Sequence, residues 1–199
     1  MIMTKEKRIV EKKDLLPATE YSNKRKQYRK ELLEFKKYRR VSIGPYATFY
    51  FESFETMLGQ IQEMLHIEKG GDNQLNDELA AYNPLIPKGN ELIATLMFEI
   101  DDPVLRSDFL SKVGGIENQV YLNLDDERIH AIPEKDLDRT SEEGKASSVQ
   151  FIHFNFSPNQ IKKFKNPGSK ITLSISHILY KHSAEITEKT KNSLVKDFI

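Results

Sequence analysis

Cysteine and tryptophan are both absent from this 199-residue chain. Without cysteine there are no disulfides, no thiol nucleophile, no thiolate-bound zinc and no iron–sulfur cluster ligated by this chain. Any redox chemistry therefore belongs to something it binds. Long apolar runs are missing as well: the longest, Leu92 to Phe98, falls far short of the roughly 20 residues that span a bilayer, so no membrane span is expected. Residues 1–14 alternate charges with isolated Ile and Val and build no signal-peptide core, which makes a cytoplasmic location the expectation. Sequence patterns for nucleotide cradles, serine hydrolases and zinc proteases (G-x-G-x-x-G, a Walker loop, G-x-S-x-G, H-E-x-x-H) are absent too.

Net charge is also absent, but only in sum, because 30 basic side chains face 30 acidic ones. Residues 1–40 hold 14 basic and 6 acidic groups, leaving 16 basic and 24 acidic for the remainder, so a front of +8 is joined to a body of −8. From Tyr21 to Arg40, the positions Tyr21, Tyr28, Leu32 and Phe35 form one helical stripe, and Lys and Arg cover the rest. This predicts a basic amphipathic helix docked by its aromatic side. Residues 1–20 are expected to be a flexible N-terminal segment, and residues 21–199 a single domain.

What remains is ordinary for a globular core. Tyr46 to Phe51 reads as an interior strand, Phe54 to Glu68 as a helix with one apolar face, and Asn73 to Ala81 as a short helix. Tyr82-Asn83-Pro84-Leu85-Ile86-Pro87 then forms a pinned loop. Leu92 to Ile100 reads as a central strand, and Asp102-Pro103 as a capped helix start. Val120 to Leu124 and Ile129 to Ile132 make a hairpin, and Pro133 to Ser147 a mobile polar surface segment. Val149 to Phe156 and Ile171 to Ile175 are further strands, around a short helix at Pro158 to Phe164, and a last helix starts near Thr187. The expected fold class is α+β: a mixed, mostly antiparallel sheet of about six strands with packed helices.

Few side chains suggest chemistry. Glu63-x-x-His66 has the spacing of di-iron carboxylate proteins, yet Glu63 lies opposite the apolar stripe of its helix and reads as solvated. Glu127-x-x-His130 repeats the spacing across a turn, where it does not mean one face. His177 keeps the parity of Ile171, Leu173 and Ile175, so it emerges at the end of a buried strand face; with Tyr180 it is either a backbone-bonded packing pair or an acid–base pair. His153 shares a strand face with Val149 and Phe151 and reads as a core residue. Glu99 lies in an apolar strand and needs a partner. No metal site or cofactor set is expected.

Several strings resemble the bacterial domain-of-unknown-function family 3501. They are Gln62-Glu63-Met64-Leu65 with Ile67-Glu68, Glu78-Leu79 with Ala81 through Pro87, Ala94-Thr95 with Glu99, and Asp102-Pro103. Gly115-Ile116-Glu117, Asp136-Leu137, Ser147-Ser148-Val149 with Phe151, and Ile175 with His177 and Tyr180 complete them. The resemblance covers nearly the whole chain and lends no activity. It implies a cytosolic protein encoded beside rubrerythrin and an iron–sulfur oxidoreductase resembling heterodisulfide reductase subunits. It also places Glu63, Asn83, Glu99, His177 and Tyr180 on matching positions, whereas His66, His153 and His182 fall where other residue types belong. Three functions stay open. One is an accessory or binding protein docking onto rubrerythrin or the Fe–S oxidoreductase. The second is a small-molecule enzyme with His177 as acid–base group and Asn83 with Glu63 or Glu99 beside it. The third, and least favoured, is a nucleic-acid binder using the basic helix.

Overall fold

The strongest periodic signal in the chain becomes the helix that organises one layer of the molecule. In the computed structural model, which describes residues 7–134 and 144–199, this helix, α2, spans Phe54–Glu68. Ser53 starts it: its hydroxyl accepts from the Thr56 N–H while Thr56 Oγ1 accepts from the Ser53 N–H. Its end is made by Lys69, left-handed at φ 56°, rather than by the two glycines that follow. The basic helix α1 (Ala18–Lys36) packs along α2 through its aromatic stripe, with Tyr21 fully buried. A methyl of Leu32 in α1 lies so close to Gly59 of α2 that a Cβ there would have to displace it. A third helix, α3 (Gly71–Tyr82), leads into a single 3-10 turn at Asn83–Leu85, the pinned loop of the sequence.

Beneath these helices lies a five-stranded sheet in the order β1 (Arg40–Ile43), β2 (Ala47–Phe51), β3 (Glu91–Phe98), β7 (Val149–Asn155), β6 (Ile132–Pro133). A second sheet of four strands runs β5 (Glu127–His130), β4 (Val120–Leu124), β8 (Ile171–His177), β9 (Tyr180–Glu185). All pairings are antiparallel, so the strands expected in one mixed sheet are divided between two uniform ones. Strand β1 escapes sequence reading because Arg39-Arg40 look like the tail of the basic helix. Strand β9 escapes it because, as an edge strand, it leaves Lys181, His182 and Ser183 exposed.

The two sheets face each other across one core, in which Phe49, Phe51, Leu96 and Phe154 meet Leu122, Leu173 and Ile175. The other face of the five-stranded sheet is covered by the helical layer, where Ile93 packs with Met57, Leu58, Ile61, Leu85 and Ile86. Both faces of β2 and β3 are therefore covered, which accounts for their continuous apolar sequence. Helices α4 (Pro103–Lys112), α5 (Pro158–Lys165) and α6 (Glu188–Leu194) begin at the side-chain caps Asp102, Ser157 and Thr187.

The segment 1–20, expected to be flexible, is tied down over residues 7–17. Val10 is buried, and its N–H and C=O are both held by the Asn83 amide, at 2.7 and 3.1 Å. The Gln62 amide holds Leu16 in the same two-sided way. Short apolar residues among charges read as disorder in a linear chain, and the amides that anchor them lie 46 and 73 residues away. Most of the polar segment 133–147, with Asp136 and Leu137, lies outside the described residues. No helix among the described residues is long and apolar enough to cross a membrane.

Candidate functional site

Alternation along β2 and β3 decides what faces the helices. Ala47, Phe49 and Phe51 point into the inter-sheet core, whereas Thr48, Tyr50 and, one residue beyond the strand, Glu52 point the other way, alongside Thr95, Met97 and Glu99. Between this sheet face and the helical layer opens a cleft of about 490 Å³. The sheet supplies Tyr50, Glu52, Thr95, Met97, Glu99 and Phe151; the helices supply Lys36, Thr56, Met57 and Gln60; the loop after α3 supplies Leu85, next to Tyr82.

Glu52 is the unusual member. It is 7% exposed, and its carboxylate receives one hydroxyl on each oxygen, from Thr95 Oγ1 and Thr56 Oγ1, both at 2.6 Å. No ion pair to Glu52 exists among the described residues. The nearby guanidinium of Arg39, only 2% exposed, is used elsewhere. It donates to the carbonyls of Phe51 (2.9 Å), Glu52 (2.7 Å) and Ser193 (3.2 Å), and to the carboxylate of Asp197 (2.5 Å). Arg39 thus ties the end of β2 to the C-terminal helix and fixes the backbone from which Glu52 projects. Toward the mouth, the Tyr50 hydroxyl donates to Glu99 at 2.7 Å. Hydrogen bonds from Thr48 and Tyr50 hold the Glu99 carboxyl below the usual carboxylate range, and burial pushes the Tyr50 phenol up.

Of the five residues singled out from the sequence, this cleft brings in Glu99 alone. Asn83 directly follows the cleft residue Tyr82 but turns its amide onto Val10. Glu63, expected to be solvated, instead accepts from the Tyr21 hydroxyl and from Arg25 Nε and Nη2 at 3.0 and 2.9 Å. Its position opposite the apolar stripe faces the neighbouring helix α1 rather than water, and Arg25 holds its carboxyl down at about 2. His177 is at the β8–β9 turn, where Nδ1 accepts from the Leu179 N–H at 3.2 Å. Tyr180 lies in the inter-sheet core. Its hydroxyl donates to Ile43 O at 2.6 Å and accepts from the N–H groups of Tyr46 and Ala47 at 3.0 and 2.9 Å, clasping the β1–β2 turn at Gly44. Tyr180 and Glu99 thus lie on opposite faces of the five-stranded sheet, and the His177-centred acid–base arrangement is not assembled.

The remaining histidines are held locally. His153 bridges Glu91 (3.0 Å) and Glu134 (2.7 Å), its pKa raised first by the hydrogen bond to Glu91. His130 lies against Tyr121, while Glu127 pairs with Lys163. Among the described residues, no three His, Asp or Glu side chains are grouped to hold a metal ion. Glu52 itself is missed by sequence reading, since a glutamate between a strand and a Ser cap looks like a solvated turn. The available signal is the parity of Thr48 and Tyr50, together with Thr56 four residues on.

A family model described as a protein of unknown function, DUF3501, matches residues 9–198. The chain belongs to the DUF3501 family. The fold is shared with the crystal structure of a novel protein of unknown function from Burkholderia pseudomallei, 35% identical, with a TM-score of 0.88 over 96% of this chain and 99% of that one. No curated protein matches the chain. DUF3501 membership and the neighbour's architecture agree on a single α+β domain, and neither carries an activity.

Proposed function

We propose that this DUF3501 protein is an accessory binding protein that holds a small molecule in the cleft between the helical layer and the five-stranded sheet. The observation that carries the reading is Glu52, a buried carboxylate on the wall of a cleft whose volume is within the roughly 300–1,000 Å³ typical of ligand sites. Met57, Met97, Leu85 and Phe151 supply apolar contact, and a few polar groups supply orientation, as binding sites require. The side chains suited to acid–base work, His177, Tyr180 and Glu63, are engaged elsewhere, which favours binding over catalysis.

The role as a companion of rubrerythrin or an Fe–S oxidoreductase belongs to the same reading. What favours a docking surface is α1, whose Lys24, Lys26, Arg29 and Lys30 are exposed while its aromatic side is packed. A fragment screen followed by amide NMR tests the ligand site. Shifts should cluster on Tyr50, Thr56, Gln60 and Thr95 and vanish in Gln60→Trp, which fills the cleft; shifts scattered elsewhere would refute the site. Pull-down with each redox partner at low salt tests docking, which a Lys24→Glu, Lys26→Glu, Lys30→Glu variant should abolish. Equal recovery with the variant would remove α1 from the proposal.

A further inference from the structure

The charge arrangement around Glu52 specifies more than a cavity. A carboxylate presents about four acceptor positions, and the two threonine hydroxyls fill two of them, so further donors can be taken. Hydroxyls satisfy hydrogen bonding but bring no net charge, and a carboxylate removed from water remains costly until a cation reaches it. Within the cleft wall, Arg39 is answered by Asp197. What is left is Glu52 and Glu99 against Lys36, and Arg40 acts on Glu99 at the mouth, which leaves Glu52 as the buried carboxylate of the wall with no ion pair among the described residues. An anionic ligand would add like charge beside Glu52, and a neutral one would leave its charge as it is.

We infer that the cleft recognises its ligand by a cationic nitrogen, a primary ammonium or a guanidinium, donating to Glu52, with an apolar or aromatic body lying along Met57, Met97 and Phe151. The inference rests on the reading of the cleft as a ligand site and deepens it. Thr56 and Thr95 hold the two carboxylate oxygens in one orientation before the ligand arrives, so little rotational freedom of Glu52 is lost on binding. Phe151 and Tyr50 line the cleft, and aromatic rings attract a cation that reaches their faces.

Four probes test this on the full chain: tyramine and agmatine as cations, 4-ethylphenol as the ring of tyramine without its amine, and 3-(4-hydroxyphenyl)propionate as the anionic counterpart. Titration followed by NMR or calorimetry should show at least one amine binding at the cleft roughly tenfold or more tighter than 4-ethylphenol, with the propionate weakest. Glu52→Gln, which keeps an acceptor and the side-chain shape, should erase that preference, whereas Thr95→Val, which keeps the charge, should retain most of it. Failure of both amines to bind, or equal binding of 4-ethylphenol, overturns the inference, as does an unchanged preference in folded Glu52→Gln. The probe comparison on the wild-type chain stands even if the variant does not fold. Neutral or acidic fragments binding at the cleft without amine preference would leave the ligand site in place and remove the cation. No fragment at the cleft at all removes both.

Discussion

Replacing Arg39 by Met should be among the most damaging single changes in this protein. The guanidinium is nearly inaccessible and serves four acceptors: three carbonyls from β2 and the C-terminal helix, and the Asp197 carboxylate. Met occupies similar space but donates nothing, so the variant leaves a buried carboxylate without its cation. Breaking one side of such a buried pair costs about 3–5 kcal/mol. For a chain of this length each kcal/mol moves the melting temperature by roughly 2–4 °C, giving an expected drop of roughly 6–20 °C. Urea denaturation followed by far-UV circular dichroism, on Arg39→Met, Asp197→Leu and the double variant, measures both the loss and the coupling. The double variant should recover a large part of what Arg39→Met loses, because the stranded carboxylate is gone. A loss below about 1 kcal/mol, or strictly additive losses, would refute the reasoning.

The other predictions concern residues whose surroundings are equally explicit. Tyr180→Phe removes one hydroxyl serving two N–H groups and a carbonyl, and should lower unfolding free energy by about 2–4 kcal/mol; a change within 0.5 kcal/mol, as a rough threshold, would show that the β1–β2 turn does not depend on the clasp. Lys69→Gly relieves a left-handed residue and should stabilise the chain by about 0.5–1 kcal/mol, an outcome that a fall in melting temperature would contradict. Glu63 has a folded pKa of about 2 against an ordinary 4.5, so its contribution is present above 4.5 and is lost as pH falls toward 2; Glu63→Gln should flatten the stability profile in that window, and an unaltered profile would count against the Arg25 contact. His153 has a raised pKa, so its contribution is fully present below 6.5 and is lost as pH rises through the folded value. NMR titration should find that value above 6.5 in the wild type and lower in Glu91→Gln.

The parts of the fold legible in the sequence are those in which one residue's neighbours are local. The phase of Phe54–Glu68, the cap at Asp102 and the apolar run of β3 depend on contacts within a few positions and are read correctly. What is not legible depends on distant partners. The two-sheet division is set by which strand meets which, and β9 carries charge because only one of its faces is covered. Asn83 is a case in point: its place in a distinctive motif is visible, but the Val10 backbone that it holds is 73 residues away. The same reason hides the candidate site. Glu99 announces itself as a carboxylate in an apolar strand, whereas Glu52 looks ordinary until Thr95 is brought beside it by the pairing of β2 with β3.

Strict alternation along those two strands has a practical meaning for anyone who wishes to alter the cleft. Residues 47, 49, 51, 94, 96 and 98 maintain the inter-sheet core, and their immediate neighbours 48, 50, 95, 97 and 99 border the helical side. Cleft wall and inter-sheet core are thus interleaved residue by residue yet physically separated by the thickness of one sheet. A combinatorial library confined to positions 50, 97 and 99 can change the wall of the cleft while every inward-facing side chain of the sandwich stays in place.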